Sequence, residues 1–351
     1  MLRRLARLLA VFALVLPLPL SAQLEVSGRG ADLRIGGRVH SQYSVSSIDA
    51  ATSDFFIRRA RLNVDVAVND FLSGRVQPEF SGGSASVLDA YAQLDFSPGF
   101  RIAVGQFKRS FDIFELASST DLSLIERDGR IEGYGVCSGV GSVCSYSRLT
   151  EALDFAGRDQ GVRVEGSSGQ LSYQATLTNG TGLNTSDEND RKSVAGRVTL
   201  DINENVRASG QLALHDYVDP AADNATAVAF GGDVEIGTWR DGLLVQAGLI
   251  IGDNWELDPV TSGPPSFLAL QGVASYYVPV DGERVVGIEP LARISYGDPD
   301  TDTNDDNGLL ITPGFMVYIM GRSKIGANFD IYSPATGDKE FSFKIQSFLY
   351  F

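Results

Sequence analysis

A two-residue rhythm constrains this chain more than any other feature. In residues 59–68, RARLNVDVAV, one face carries Ala60, Leu62, Val64, Val66 and Val68. The other carries Arg59, Arg61, Asn63 and Asp65. Successive side chains of a strand point to opposite faces, so one face is greasy and the other polar. The stretch SVLDAYAQLDFS (86–97) repeats the pattern, with Leu88, Ala90, Ala92, Leu94 and Phe96 set against Asp89, Tyr91, Gln93 and Asp95. Residues 31–45 do the same, with Leu33, Ile35, Val39, Tyr43 and Val45 against Arg34, Arg38, His40 and Gln42. No long segment carries the 3.6-residue apolar stripe of an amphipathic helix. The fold class is all-β.

The breaks in the rhythm give the architecture. Strands are expected near 31–45, 55–68, 71–80, 86–97, 100–107, 160–166, 169–178, 191–202, 205–217, 226–238, 243–252, 266–280, 285–297, 308–320, 324–333 and 339–351, about sixteen in all. Most supply the 9–11 residues that a tilted strand needs to span a bilayer. Short connections such as Asn69-Asp70, Ser97-Pro98-Gly99 and Gly321-Arg322-Ser323 hold turn-forming residues. They alternate with longer loops at 46–54, 81–85, 108–159, 179–190, 218–225, 253–265, 298–307 and 334–338. Tight turns at one end and longer loops at the other indicate an antiparallel transmembrane β-barrel of the outer-membrane type. An even strand count puts both termini on the short-turn, periplasmic side. A soluble sandwich or solenoid would explain the alternation but not the alternating turn lengths.

The two ends of the chain agree with export. Residues 1–22 place Arg3, Arg4 and Arg7 before an apolar run, then Pro17 and Pro19, then Ser21-Ala22. This is the plan of a signal peptide cleaved after Ala22, leaving 23–351 as one barrel domain. Cleavage would take the net charge from −15 to −18 by removing three arginines. Such acidity excludes a nucleic-acid partner. In the oxidising space outside the cytoplasm, Cys137 and Cys144 of CSGVGSVC are expected to pair. At the other end, stepping back by twos from Phe351 meets Leu349, Ser347, Ile345, Phe343 and Phe341. That terminal strand resembles the recognition signal of the bacterial outer-membrane assembly machinery. The outer membrane is therefore the expected location, with its lipid and lipopolysaccharide as partners.

In lipid the greasy face must turn outward, because no polar group there finds water. The polar face then lines a lumen too wide for side chains to fill. The expected function is passive diffusion of small hydrophilic solutes, with no cofactor, metal or catalytic residue. The first three inward faces are basic, with Arg34, Arg38, His40, Arg59, Arg61 and Arg75. Such rows favour anions. Alternatively, these arginines pair with inward acids such as Asp65, Glu79, Asp89 and Asp95 and simply stabilise the wall. Arg58 is out of phase with the row and is expected at the rim. The 108–159 loop contains Phe111, Ile113, Phe114, Leu116, Leu122, Leu124 and Ile125, which need burial. It is expected to fold inward as a constriction, with Asp112, Glu115, Asp121, Glu126 and Asp128 facing the arginines across the pore. A loop packed over the mouth or against a neighbouring subunit is the other possibility.

These residues also carry a family resemblance. FFIRRARLNVDVAV, DAYAQLDFSPGFRIAVGQFKRSF and ELASSTDLSLIERDGR, in that order, resemble the phosphate-selective porins O and P over about residues 33–165. The resemblance implies a sixteen-stranded trimeric porin with its third loop in the pore. It implies conduction of anions, in some members phosphate. It places Lys108 and Arg109 at the GQFK element and Arg127 at the loop's ER pair. Serine at 110 departs from the family's usual proline.

Three other functions are compatible with a barrel. A non-selective or cation-preferring porin would keep the barrel and lose the role of the arginines. A structural or adhesive barrel needs no conduction. A barrel hydrolase would need a base, for which His215 beside Asp216 is the candidate, yet no nucleophile elbow is visible. The aspartates of GDPDTDTNDDNG (Asp298, Asp300, Asp302, Asp305, Asp306) lack the central glycine and final glutamate of a calcium loop and read as a solvated external loop.

Overall fold

The computed structural model describes residues 24–28, 30–187, 189–259 and 262–351. The proposed signal peptide lies outside them. After a stub, β1 (Leu24–Ser27), come β2 (Asp32–Ser46), β3 (Asp54–Ala67), β4 (Leu72–Glu79), β5 (Ser86–Ser97) and β6 (Phe100–Lys108). A long loop carrying α1 (Ile113–Leu116) and α2 (Tyr146–Ala152) leads to β7 (Arg158–Ser168), β8 (Leu171–Thr178), β9 (Ser193–Asn203), β10 (Val206–Val218) and β11 (Asn224–Thr238). The remaining strands are β12 (Asp241–Asp253), β13 (Ser266–Pro279), β14 (Gly287–Asp298), β15 (Gly308–Met320), β16 (Ser323–Pro334) and β17 (Glu340–Tyr350).

Each strand from β2 to β17 pairs antiparallel with the next, and β17 pairs back onto β2, with Phe348 opposite His40 and Tyr350 opposite Arg38. The result is a closed sixteen-stranded barrel, as the rhythm predicts. Closure removes the sheet edges that would otherwise leave backbone groups unpaired in lipid. At the seam, Gly37 donates to the Phe351 carbonyl at 2.7 Å and accepts from the Phe351 amide at 3.1 Å. Only glycine fits here, since a Cβ on Gly37 would sit 2.5 Å from the Phe351 ring. Just beyond, β1 pairs with β2 from Ile35 to Asp32, continuing the slot that β17 vacates. Its four residues were too few to read from alternation.

The greasy face points outward. Phe341, Phe343, Ile345, Leu349 and Phe351 are all exposed, while Ser342, Lys344, Gln346 and Phe348 between them are buried. The apolar core is instead built inside the barrel, around the long loop. Phe111, Phe114, Ile125, Tyr146, Leu149 and Phe155 pack with one another and with Ile250, Phe267, Leu310 and Tyr318 of the wall. Burying such a side chain contributes about 1.5–3 kcal/mol, which explains why the loop folds into the lumen. The loop is not irregular throughout, since it contains α1 and α2. Both helices are too short to stand alone and depend on this packing.

Candidate functional site

The loop from Arg109 to Gly157 runs along the inside of the wall. Its polar contacts chart the course. The Asp112 amide donates to Gln211 on β10 at 2.9 Å, and Ser123 donates to Glu289 on β14 at 2.7 Å. The Ile125 amide reaches Asn328 on β16 at 2.9 Å. Lys324 donates to the Leu122 carbonyl at 2.5 Å, and Lys344 to that of Arg130. Arg293, fully buried, donates to the carbonyls of Glu126 at 3.0 Å and Arg127 at 2.6 Å while pairing with Asp330 at 3.0 Å. Cys137 and Cys144 are joined by a disulfide, and the Cys144 amide donates to Tyr332 at 3.0 Å. Below the loop, Arg240 lies over the rings of Trp239, Tyr277 and Tyr318 and donates to Gly321 at 2.6 Å. These contacts hold the loop against the β10–β17 wall.

Open volume remains beside the loop, against β2, β3 and β17 in one place and against β9–β12 in another. An outer cavity of about 590 Å³ is lined by Ser44, Asp54, Arg58, Ser81, Glu126, Arg130 and Lys344, among others. An inner one of about 380 Å³ lies beneath α1, against Arg197, Thr199, Asp201, Arg207 and Gln246.

The basic row of β2–β4 is real, but most of it is neutralised locally. Arg34 pairs with Glu25 of the stub at 3.1 Å, Arg61 with Glu79 at 2.5 Å and Arg75 with Asp65 at 2.6 Å. Arg38 and Arg59 differ. Arg38 is 5% exposed and donates to Ser119 of the loop at 2.6 Å. Arg59 is 3% exposed and lies 3.8 Å from Glu126. Arg38 Nε and Arg59 Nε and Nη1 are buried without a partner among the described residues. His40, fully buried, packs on Phe348 and Tyr350.

Arg58 corrects the expectation of a rim position. It donates to Glu126 at 2.5 and 3.0 Å, inside the barrel. The reason is a β-bulge. Ser41 faces Ile57 and His40 faces Arg59, so Arg58 is the extra residue and both arginines reach the loop.

The loop acids do not form one row facing the arginines across an open lumen. Glu126 touches the wall directly. Burial pushes its carboxyl up, but Arg58 and Arg59 outweigh that and hold it at about 2. Glu115 lies 3.8 Å from Arg127 of the same loop, Asp128 lies 3.7 Å from Arg148, and Asp121 lies 3.7 Å from Arg322. Asp112 caps α1 through the Phe114 amide at 2.9 Å and accepts from Thr150 of α2 at 3.1 Å. Burial, with Glu115 nearby, pushes its carboxyl up to about 7. Burial of the apolar residues draws the loop onto the wall, so its acids find partners at contact range.

Lys108 and Arg109 lie under the loop. Lys108 donates to the carbonyls of Glu115 and, at 3.0 Å, Ala117. Arg109 lies 3.9 Å from Asp159 and 3.4 Å from His215 Nδ1. His215 itself is buried against Phe155 and Trp255.

A belt of charge around the loop therefore gathers Arg38, Arg58, Arg59 and Arg61 from the wall, Arg127 from the loop and Arg158 from β7, which pairs with Asp89 at 2.7 Å. Arg59, Arg127 and Arg158 all act electrostatically on Arg38. Against these six arginines, with Lys108 beside them, stand Glu79, Asp89, Glu115 and Glu126, so basic groups outnumber acids. Reading the sequence alone missed Arg158, Arg293, Asp330 and Lys344. Their one signal is a lone charge in phase with the inward face.

Comparison with solved structures finds the same barrel. The outer membrane channel DcaP of Acinetobacter baumannii aligns with a TM-score of 0.63 at 14% identity, covering 93% of this chain and 99% of that one. An anion-selective porin from Comamonas acidovorans aligns with a TM-score of 0.63 at 13% identity, covering 92% and 100%. OmpT of Vibrio cholerae, in a trimer form, aligns with a TM-score of 0.60 at 12% identity, covering 92% and 100%. No curated protein sequence matches the chain. The model of one family, described as phosphate-selective porin O and P, matches residues 33–232. With that match spanning more than half of a sixteen-stranded porin barrel, the chain is an outer-membrane channel and belongs to the phosphate-selective porin O and P family.

Proposed function

We propose that this porin passes small hydrophilic solutes by diffusion and prefers anions because of the uncompensated charge at Arg38 and Arg59. The observation that carries this reading is the contrast along the basic row. Arg34, Arg61 and Arg75 each have an acid of their own, whereas among the described residues Arg38 has only a serine hydroxyl and Arg59 shares Glu126 with Arg58. A paired arginine presents little field to a passing ion, and an unpaired one in a narrow, low-dielectric belt presents much more. The Comamonas porin, which is anion-selective, supports this preference. The family's name points to phosphate as one solute.

Three further elements of the reading rest on other support. Assembly as a homotrimer is supported by the trimer form of the Vibrio barrel. Export through residues 1–22 is supported by the sequence plan alone. Recognition by the assembly machinery is supported by Phe351, exposed at the seam where β17 meets β2. Purified protein added to a planar bilayer tests the whole. Discrete conductance steps with chloride favoured over potassium are expected, and an absence of steps would overturn the channel.

A further inference from the structure

We infer that the charges along the pore axis make this channel rectify, passing more current at low salt when the extracellular side is positive. The inference rests on the channel reading above and adds a direction to it.

Three zones lie in series. The outermost is acidic. The loops at 46–54, 218–225, 253–265 and 298–307 carry twelve aspartates and glutamates and no lysine or arginine. They follow the strand ends on the long-loop, extracellular side, and Asp49, Asp223, Asp302 and Asp305 are exposed. The middle zone is the belt around the loop, where basic groups outnumber acids. The innermost zone is close to compensated, with four arginines set against five acids. Arg75 pairs with Asp65, Arg101 lies 4.0 Å from Asp95 and 3.7 Å from Glu165, Arg163 lies 2.9 Å from Glu165, and Arg207 lies 3.7 Å from Asp201 and 3.2 Å from Glu235. Read inward, the order is strongly negative, positive, weakly negative.

Fixed charge fills a pore with its counter-ions. Cations gather in the acidic mouth and anions in the basic belt. With the outside positive, cations move inward from the mouth and anions move outward through the belt. Both flows converge on the boundary between the zones, and conductance rises. With the outside negative, both kinds of ion leave the boundary, and it empties. A single uniform sign of charge would give selectivity without this asymmetry. The effect needs long screening lengths in a mouth this wide. The Debye length is about 30 Å at 0.01 M salt and about 3 Å at 1 M.

The test is the current–voltage curve of single channels in a planar bilayer. Orientation is assigned with Thr336→Cys, in an external loop, by adding an impermeant maleimide to one side. In about 0.01 M KCl the current at about 100 mV should be about twofold larger or more with the extracellular side positive, and the ratio should fall to about 1 in 1 M KCl. Changing Asp219, Asp223, Asp300, Asp302 and Asp305 together to asparagine should bring the low-salt ratio towards 1. The pair Arg38→Gln and Arg59→Gln should do the same from the other zone. A conducting channel with a ratio of about 1 at low salt, or with the opposite polarity, would overturn the inference. So would a ratio that neither variant moves. Channels that do not open at all would instead sink the porin reading on which the inference depends.

Discussion

Arg293→Met isolates the joint that presses the constriction loop against the wall. The guanidinium makes two bonds to loop carbonyls, at 3.0 Å to Glu126 and 2.6 Å to Arg127, and lies in the same buried network as Asp330 and Thr312. Methionine keeps much of the volume and loses every donor. Asp330 would still hold Lys344, so its carboxylate is not left alone. The loss is then mainly the two loop bonds, each about 1.5–3 kcal/mol when the donor is charged. A total of about 3 kcal/mol or more would raise the population of a displaced Glu126–Arg127 segment about a hundredfold. Hydrogen exchange of peptides covering residues 118–135, in detergent, reads this directly. Exchange should accelerate there while the strand peptides stay protected, and single channels should flicker. Arg284→Met, in an exposed turn, is the control. Unchanged exchange in 118–135 would refute the idea that Arg293 anchors the loop.

Other outcomes follow from the same geometry. Asp112 has its carboxyl pushed up to about 7 by burial, so its contribution to stability is full below its ordinary value near 4 and is lost as pH rises through 7. Loop exchange should quicken between pH 5 and pH 8, and Asp112→Asn, which still caps α1, should flatten that dependence. Replacing Cys137 and Cys144 with serine removes a closed ring worth about 2–3 kcal/mol to the loop, so proteolysis should cut near 137–144 while the barrel keeps its heat resistance. Gly37→Val would place a side chain against the Phe351 ring and the Arg61 carbonyl, so outer-membrane fractions should hold much less closed barrel, seen as loss of the heat-modifiable band in gels.

Strand periodicity made the barrel legible, because every spanning segment must repeat the same greasy–polar alternation to face lipid and lumen together. The observed β5, 86–97, and β15, 308–320, coincide with the expected ranges, and the connections alternate in length as expected. The interior was less legible. Whether an inward arginine acts on a solute depends on which acid lies opposite, and that is set by register. Arg61 meets Glu79 across β3 and β4, while Arg38 meets Arg61 across β2 and β3. A single bulge brought Arg58 inside, and alternation cannot announce one inserted residue. The anchors Arg293, Asp330 and Lys344 come together from β14, β16 and β17 around a loop more than 150 residues earlier in the chain. Only the folded barrel makes them neighbours.

Arg38 and Arg59 are the proposed determinants of ion preference in this channel. Zero-current potential in a KCl gradient measures that preference directly. The unaltered protein should show the sign of chloride preference. Arg38→Gln with Arg59→Gln should move the potential to zero or to the potassium side, whereas Arg34→Gln, whose partner is Glu25 near the periplasmic end, should leave it in place. A potassium-preferring unaltered channel, or a double variant with an unshifted potential, would contradict the claim.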